Sequence, residues 1–315
     1  MINTSLTHWS MYWQTGARHS LPQDFGANYD RELAEFWAPY FTSLTADATV
    51  LDVCTGTGAI PMLARQLCPS HAFKINAIDG ASVEPALLEA IWSDQTERLA
   101  SIEFRFATPV ESMGEVFGPA SFDLITSQYG LEYCALDQAA SQVAMVLKPK
   151  GQLVMVTHAT STEMSKTMSA EANEYHLLEE VGYLRLLGSW SKGQLSAQNL
   201  KDRLERAVKV LIQHQSKTGS LLLSQVIESM RVALSQPLGH LLAQGIYAQQ
   251  YLDQLQAAKT RLHDMQRVTN VIGEGQADTW LEPFFTQGLR LVSRTDIRID
   301  GSHLAGVGWV LQRDA

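Results

Sequence analysis

Two glycines, Gly56 and Gly58, stand where an apolar run gives way to a helical pattern in VLDVCTGTGAI, residues 50–60. Glycine at such a junction lets backbone approach a ligand closely, and the positive end of the following helix favours polar or anionic ligand atoms. Asp52 lies inside the apolar run, and Cys54 occupies a position where a third glycine could stand. A second apolar run, INAID, closes on Asp79, 21 residues beyond Gly58. That carboxylate either faces a ligand or caps the turn that follows it. Proton-transfer chemistry has its own candidates. His158 ends the run VTHAT, and an unperturbed imidazole titrates near neutral pH. SQYGLEYC, residues 127–134, offers Tyr129, Glu132 and Tyr133. Each has a plainer reading: His158 hydrogen-bonded at a strand end, Glu132 as a first-turn carboxylate favoured by the helix dipole, and the tyrosines as pocket walls. The three cysteines, Cys54, Cys68 and Cys134, are too few and too scattered for a disulfide framework and lack metal-ligand spacing, so no metal site is expected.

The elements that must position these residues follow from periodicity. DRELAEFWAPYFTSL spaces Leu33, Phe36, Trp37, Tyr40 and Phe41 along one helical face, with Asp30 ahead of it as an N-cap. From residue 49 short apolar strands alternate with helices: TVLDVC, then IPMLARQLC; FKINAID, then EPALLEAIW; IEFRFA; FDLITSQ, then AASQVAMVL; and GQLVMVTHA. That alternation predicts parallel βαβ units with right-handed crossovers over 49–160, and ligands of such open sheets bind at the carboxyl ends of the strands. From residue 161 the pattern is helical only, and strand texture returns in GLRLVSRTDIRI and HLAGVGWVLQR. The expected organisation is an N-terminal arm and helix (1–48), a sheet core (49–160), a helical insertion or cap (161–285) and two closing strands (286–315). Tyr251, Leu255, Ala258, Leu262 and Met265 repeat in steps of four and three. Such a seam packs within the chain or makes a homodimer.

Composition narrows the function classes. Lys plus Arg number 24 against 33 acids in 315 residues, a net charge of -9 that repels phosphate backbones and argues against a nucleic-acid partner. No run approaches the roughly 18 apolar residues of a membrane helix, and the N-terminus has no signal-peptide core, so a cytoplasmic protein acting on a small molecule is expected.

A glycine turn of this kind serves either a dinucleotide or S-adenosylmethionine. A dinucleotide fingerprint needs a third glycine where this chain has Pro61. The order VLDVCTGTGAI, INAIDGAS, SFDLITSQYG and VLKPKGQLVMV instead resembles the class I S-adenosylmethionine-dependent methyltransferases, over residues 30–160 and the closing strands. The resemblance implies a doubly wound, mostly parallel seven-stranded α/β sheet and S-adenosylmethionine as cofactor, released as S-adenosylhomocysteine. It places Gly56 and Gly58 against the methionine part, with Asp52 positioning its amino-acid end. Asp79 then accepts both ribose hydroxyls, Gly80 and Ala81 (or Ser82) lie near the adenine, and Ser127 lines the pocket. There are two departures: Cys54 replaces the first loop glycine, and FRFATPVESM lacks the usual adenine-contacting acid, leaving Thr108 or a backbone carbonyl to serve. In this family an aromatic N-terminal segment often folds over the site, which makes Tyr12, Trp13 and Tyr29, with Tyr133, the expected substrate contacts. His158, Glu132 and Tyr129 are the expected catalytic groups. No Asn/Asp-Pro-Pro-Tyr motif is present, which argues against nucleic-acid bases as acceptors. A protein or RNA acceptor, a non-catalytic cofactor-binding dimer and, more distantly, a dehydrogenase are the competing readings.

Overall fold

A computed structural model describes residues 6–20, 25–70, 72–159, 163–272, 279–301 and 303–315. Seven strands form one sheet in the order β3-β2-β1-β4-β5-β7-β6. They are β1 (Thr49–Val53), β2 (Lys74–Ile78), β3 (Ile102–Arg105), β4 (Phe122–Gln128), β5 (Leu147–Thr157), β6 (Leu289–Ile299) and β7 (His303–Arg313). The first five pair in parallel, while β7 pairs antiparallel to both β5 and β6. Chain direction through the sheet reverses between β1 and β4, the switch point where open α/β sheets bind ligands. In the register across that point Asp52 stands opposite Thr126.

Helices α1 (Thr7–Trp13) and α2 (Arg31–Thr42) precede the sheet, and α3 (Ala59–Leu67), α4 (Pro85–Ile91), α5 (Thr96–Ala100) and α6 (Leu136–Val146) connect its parallel strands. The period-2 alternation of a strand divides its side chains between two cores. Val50 packs with Trp37, Phe41, Met62 and Trp92, whereas Leu51 and Val53 pack with Val143, Phe284 and Trp309 on the other side. Each aliphatic side chain so buried contributes about 1.5–3 kcal/mol.

The chain divides into two compact units, residues 1–165 with 264–315, and residues 166–263. The second is helical throughout, with α8 (Tyr183–Ser191), α9 (Ala197–Thr218), α10 (Leu221–Leu234) and α11 (Leu238–Ala243) inside it. α7 (Glu163–Glu180) leads into it and α12 (Gly245–Val271) leads out. In the second unit Ser196 caps α9 and Ser220 caps α10, each accepting a backbone N–H three residues on. The insertion is therefore narrower than the expected 161–285. Val268, Ile272, Trp280, Leu281 and Phe284 belong to the same hydrophobic cluster as β5 and β7 side chains, so the last turns of α12 and the short α13 (Glu282–Thr286) are part of the sheet unit. No helix among the described residues is long and apolar enough to cross a membrane.

Candidate active site

Three residues in alternation, Cys54, Gly56 and Gly58, adopt left-handed backbone as β1 turns into α3, with φ of 56°, 56° and 90°. Glycine does this freely, but Cys54 does so at a steric cost of about 1 kcal/mol. A side chain on Gly56 would lie 2.4 Å from Trp13 Cζ2, and one on Gly58 would lie 2.7 Å from Phe104 Cζ. Both glycines are thus required by what packs on them as well as by their torsions.

The loop is tied to Asp79. Its Oδ2 accepts the Gly56 N–H and its Oδ1 accepts the Ala81 N–H, each at 2.7 Å. Burial pushes this carboxyl up to about 6 against the opposing effect of the two N–H donors. Asp52, deeper in β1, accepts the Thr126 hydroxyl at 2.6 Å, the contact that their register predisposes. Burial pushes it up to about 7.

Asp79 faces a cavity of about 380 Å³ at the carboxyl ends of β1, β2 and β4, within the range of small-ligand sites. Cys54, Gly80, Tyr129, Tyr133 and Trp13 share its wall. A recess of about 20 Å³, also bounded by Trp13, Cys54 and Tyr129, reaches Asp52, Thr55, Tyr29 and Gln128. Around these spaces Thr55 Oγ1, Gln128 Nε2 and Tyr133 Oη are buried without a hydrogen-bond partner among the described residues. Buried polar atoms left unpaired carry a penalty that a polar ligand would remove.

The N-terminal arm closes over this region. Trp13 covers Gly56, and Leu6 and Trp9 join the cavity wall. The Thr57 hydroxyl bonds the Ala17 and Arg18 carbonyls at 2.9 Å, and the Trp92 Nε1–H donates to the Thr57 carbonyl at 2.7 Å, so arm, loop and α4 side are fastened together. His8 Nε2 meets Asp264 Oδ2 at 2.9 Å at the arm's other edge.

Other expected site residues lie elsewhere. The Thr108 N–H donates to the Asp79 carbonyl and its hydroxyl to the Phe106 carbonyl, and its side chain is not part of the cavity wall. Glu111, an acid within FRFATPVESM, lines the cavity and accepts the Ala135 N–H at 2.8 Å. Ser127 is buried, its hydroxyl accepting the Leu131 N–H at 3.0 Å, and Ala81 is buried behind Asp79. Tyr12 donates to the His19 carbonyl at 3.3 Å, outside both spaces. Tyr29 touches only the recess, with its hydroxyl accepting the Ser20 N–H and burial pushing it up to about 12.

His158 does not titrate near neutral pH. Its ring stacks on Tyr129 at 4.7 Å and meets the Tyr133 edge at 5.9 Å, and burial pushes it down to about 4. Tyr129 gives up ordinary backbone to make this wall, with φ of 52° and its hydroxyl donating to the Ala305 carbonyl. Glu132 accepts the His158 N–H at 3.1 Å, and burial pushes it up to about 7. It lines a second cavity of about 400 Å³ that also touches Arg267, Trp280 and Cys134. Cys134 therefore borders both large cavities. Residues missed by sequence reasoning, among them Glu111, Gly130 and Cys134, come from segments that only the fold brings to one edge; Glu111 carried a signal, as an acid just beyond the third strand, and Trp9 belongs to the aromatic arm that the sequence singles out.

The model of the family described as Methyltransferase domain matches residues 44–207. A geranyl diphosphate C-methyltransferase from Streptomyces coelicolor A3(2), solved with S-adenosyl-L-homocysteine, is 13% identical over 50% of this chain and 67% of its own, with a TM-score of 0.39. The [4+2]-cyclase SpnF is 19% identical over 48% and 58%, with a TM-score of 0.37. A protein from Rhodobacter sphaeroides described as a Zn-dependent alcohol dehydrogenase is 11% identical over both full lengths, with a TM-score of 0.50, a likeness of fold alone. The chain spans 45–58% of three of the solved chains it matches, and no curated protein matches it. With more than half of its length inside the family match and the seven-stranded sheet around a glycine loop, the chain belongs to the methyltransferase-domain family and has the class I fold, whose cofactor is S-adenosylmethionine.

Proposed function

We propose that this chain transfers a methyl group from S-adenosylmethionine to an oxygen, nitrogen or carbon atom of a small molecule, releasing S-adenosylhomocysteine. The observation that carries the reading is Asp79, a carboxylate locked by two backbone N–H groups at the floor of the 380 Å³ cavity, with acceptor lone pairs left for a diol. When bound, the cofactor supplies an electrophilic methyl on sulfonium sulfur for in-line displacement. Asp79 and Gly80 would hold its ribose, Val110 and Glu111 its adenine side, and the unpaired Thr55 and Gln128 groups of the recess its amino-acid end. Trp9, Trp13, Tyr129 and Tyr133 exclude water and offer aromatic faces suited to positive charge.

An acceptor that must lose a proton has one suitable group at hand. Glu132, at about 7, changes charge near neutral pH and faces the neighbouring cavity. That cavity supports an acceptor approaching past Cys134. His158, at about 4, would serve by holding Tyr129 in place. The net charge of -9 favours a neutral or cationic acceptor.

Calorimetric titration with S-adenosylmethionine, S-adenosylhomocysteine and NAD tests the cofactor, using wild type and Asp79→Asn. Binding of the first two and not of NAD, weakened about a hundredfold or more in the variant, is expected, since one buried N–H loses its acceptor as the ribose contact is lost. Binding of NAD alone would replace the reading with a dehydrogenase.

A further inference from the structure

Cys54 and Cys134 are 80 residues apart in the chain, yet their sulfurs lie 3.7 Å apart. Cys54 stands on the glycine loop and Cys134 follows the short helical turn Leu131–Tyr133 after β4. Both are free, half-buried thiols on the wall of the 380 Å³ cavity, whereas Cys68 is buried at the end of α3 in one of the cores. We propose that Cys54 and Cys134 are a modification site, a thiol pair that peroxides convert reversibly to a disulfide, shutting the cofactor cavity. The closure rests on the reading of that cavity as the cofactor site.

The geometry is close to what the bond needs. A disulfide brings sulfurs to about 2.05 Å, so the pair must close by about 1.7 Å from the 3.7 Å separation. The two loops already touch: a Cβ built on Gly130 would lie 2.3 Å from Cys54 Cβ and 3.3 Å from its Sγ. Side-chain rotation with a small loop shift suffices. The cavity on which both residues open is wide enough to admit hydrogen peroxide.

The chemistry balances with peroxide as sole oxidant. The Cys134 sulfur attacks one peroxide oxygen; an S–O bond forms, the O–O bond breaks, and the departing hydroxide takes a proton to become water. The Cys54 sulfur then attacks the sulfenic sulfur; the S–S bond forms, the S–O bond breaks, and a second water leaves with the Cys54 proton. Two thiols are oxidised by two electrons and one peroxide is reduced to two waters. The order of attack follows from surroundings: the contact with Cys134 and then desolvation push the Cys54 thiol well up, so the first attack falls to Cys134. The product ties the glycine loop to the β4–α6 connection across the cavity wall. Loops so joined cannot part to admit a ligand.

The test oxidises reduced protein with stoichiometric hydrogen peroxide, blocks remaining thiols, maps peptides without reduction, and titrates S-adenosylhomocysteine before oxidation, after it, and after dithiothreitol. Wild type and Cys68→Ser should both yield a Cys54–Cys134 linked peptide and lose affinity about tenfold or more, recovered on reduction. In Cys134→Ser, peroxide should leave affinity where it stood. Absence of the linked peptide overturns the proposal, as does a linked peptide without loss of affinity, or a loss that persists in Cys134→Ser. Failure of reduced wild type to bind S-adenosylhomocysteine overturns the cofactor reading and with it the closure; the peptide map still decides the pairing by itself.

Discussion

Lowering the pH from 8 to 6 should stabilise the ligand-free protein, because three buried carboxyls outweigh one buried imidazole. Asp52 and Glu132 are pushed up to about 7 and Asp79 to about 6 by burial, from ordinary values of 3.8 for aspartate and 4.5 for glutamate. The native chain therefore holds protons that the unfolded chain has released. Stability is greatest below the unfolded values and falls as pH rises through the folded ones. From pH 6 to 8 linkage gives a loss of about 1 kcal/mol each for Asp52 and Glu132, and a fraction of that for Asp79. His158 works in the opposite direction. Burial penalises its charged form and holds it near 4, against an ordinary 6.5, so as pH falls the unfolded chain takes up a proton that the native chain does not. At pH 6 that offsets about 1 kcal/mol. The net gain on acidification is about 2 kcal/mol, a rise of a few degrees in thermal midpoint. Calorimetric melting at pH 6 and 8, at one ionic strength, measures it. Glu132→Gln should remove about two-fifths of the carboxyl contribution. A wild-type midpoint equal or lower at pH 6, or a variant with the full pH response, would refute the claim that burial of these acids outweighs their hydrogen bonds.

Gly56→Ala should weaken S-adenosylhomocysteine binding and cost about 2–4 kcal/mol of stability by urea titration, from a φ of 56° and a Cβ driven into the Trp13 ring. Trp13→Ala should uncover the loop, lower stability by about 3 kcal/mol as a buried indole is lost, and raise the dissociation constant for S-adenosylhomocysteine; unchanged affinity would remove the arm from the site. Glu111→Gln should keep the Ala135 contact and the fold but weaken adenosine binding by about tenfold if the carboxylate faces the adenine amino group.

The sheet was legible in the sequence because each strand is a short apolar run and each crossover shows helical periodicity. TVLDVC, FDLITSQ and HLAGVGWVLQR begin and end within a residue of β1, β4 and β7. Asp79 was legible for the same reason: an acid that closes a strand beside a glycine turn has few places to go. The rest depends on contacts between distant segments. Helix α1 carries its aromatics without a clean helical stripe; its last residue, Trp13, lies on Gly56, and Thr57 holds the segment after it, contacts that its own sequence does not show. An unperturbed imidazole titrates in the neutral range, and packing that the sequence does not show, the Tyr129 ring laid over His158 from a left-handed backbone turn and the Tyr133 edge, removes it from water. Thr108 and Glu111 differ by three positions, and a tight turn at Ala107, φ 52°, decides which one reaches the cavity. Residues 264–271 look helical like the insertion before them, and Val268 assigns their last turns to the sheet through Trp309 and its neighbours, the cluster that Trp280 and Phe284 also join.

Cys54 in place of a loop glycine has a structural counterpart in the loop that touches it. The residue beside it is Gly130, whose φ of -143° lies outside the left-handed region that calls for glycine. What excludes a side chain there is Cys54 itself, whose Cβ would lie 2.3 Å from an added Cβ. The volume missing at position 130 accommodates the volume present at position 54. If this is the reason for the pair, Gly130→Ala alone should cost about 1–3 kcal/mol by overpacking. Cys54→Gly alone should relieve strain at φ 56° but open a small void. The double variant should recover most of the Gly130→Ala loss, giving a coupling of about 1 kcal/mol or more in a urea-denaturation cycle. Additive effects would mean that the two loops yield independently, and that Gly130 is glycine for a reason other than the cysteine facing it.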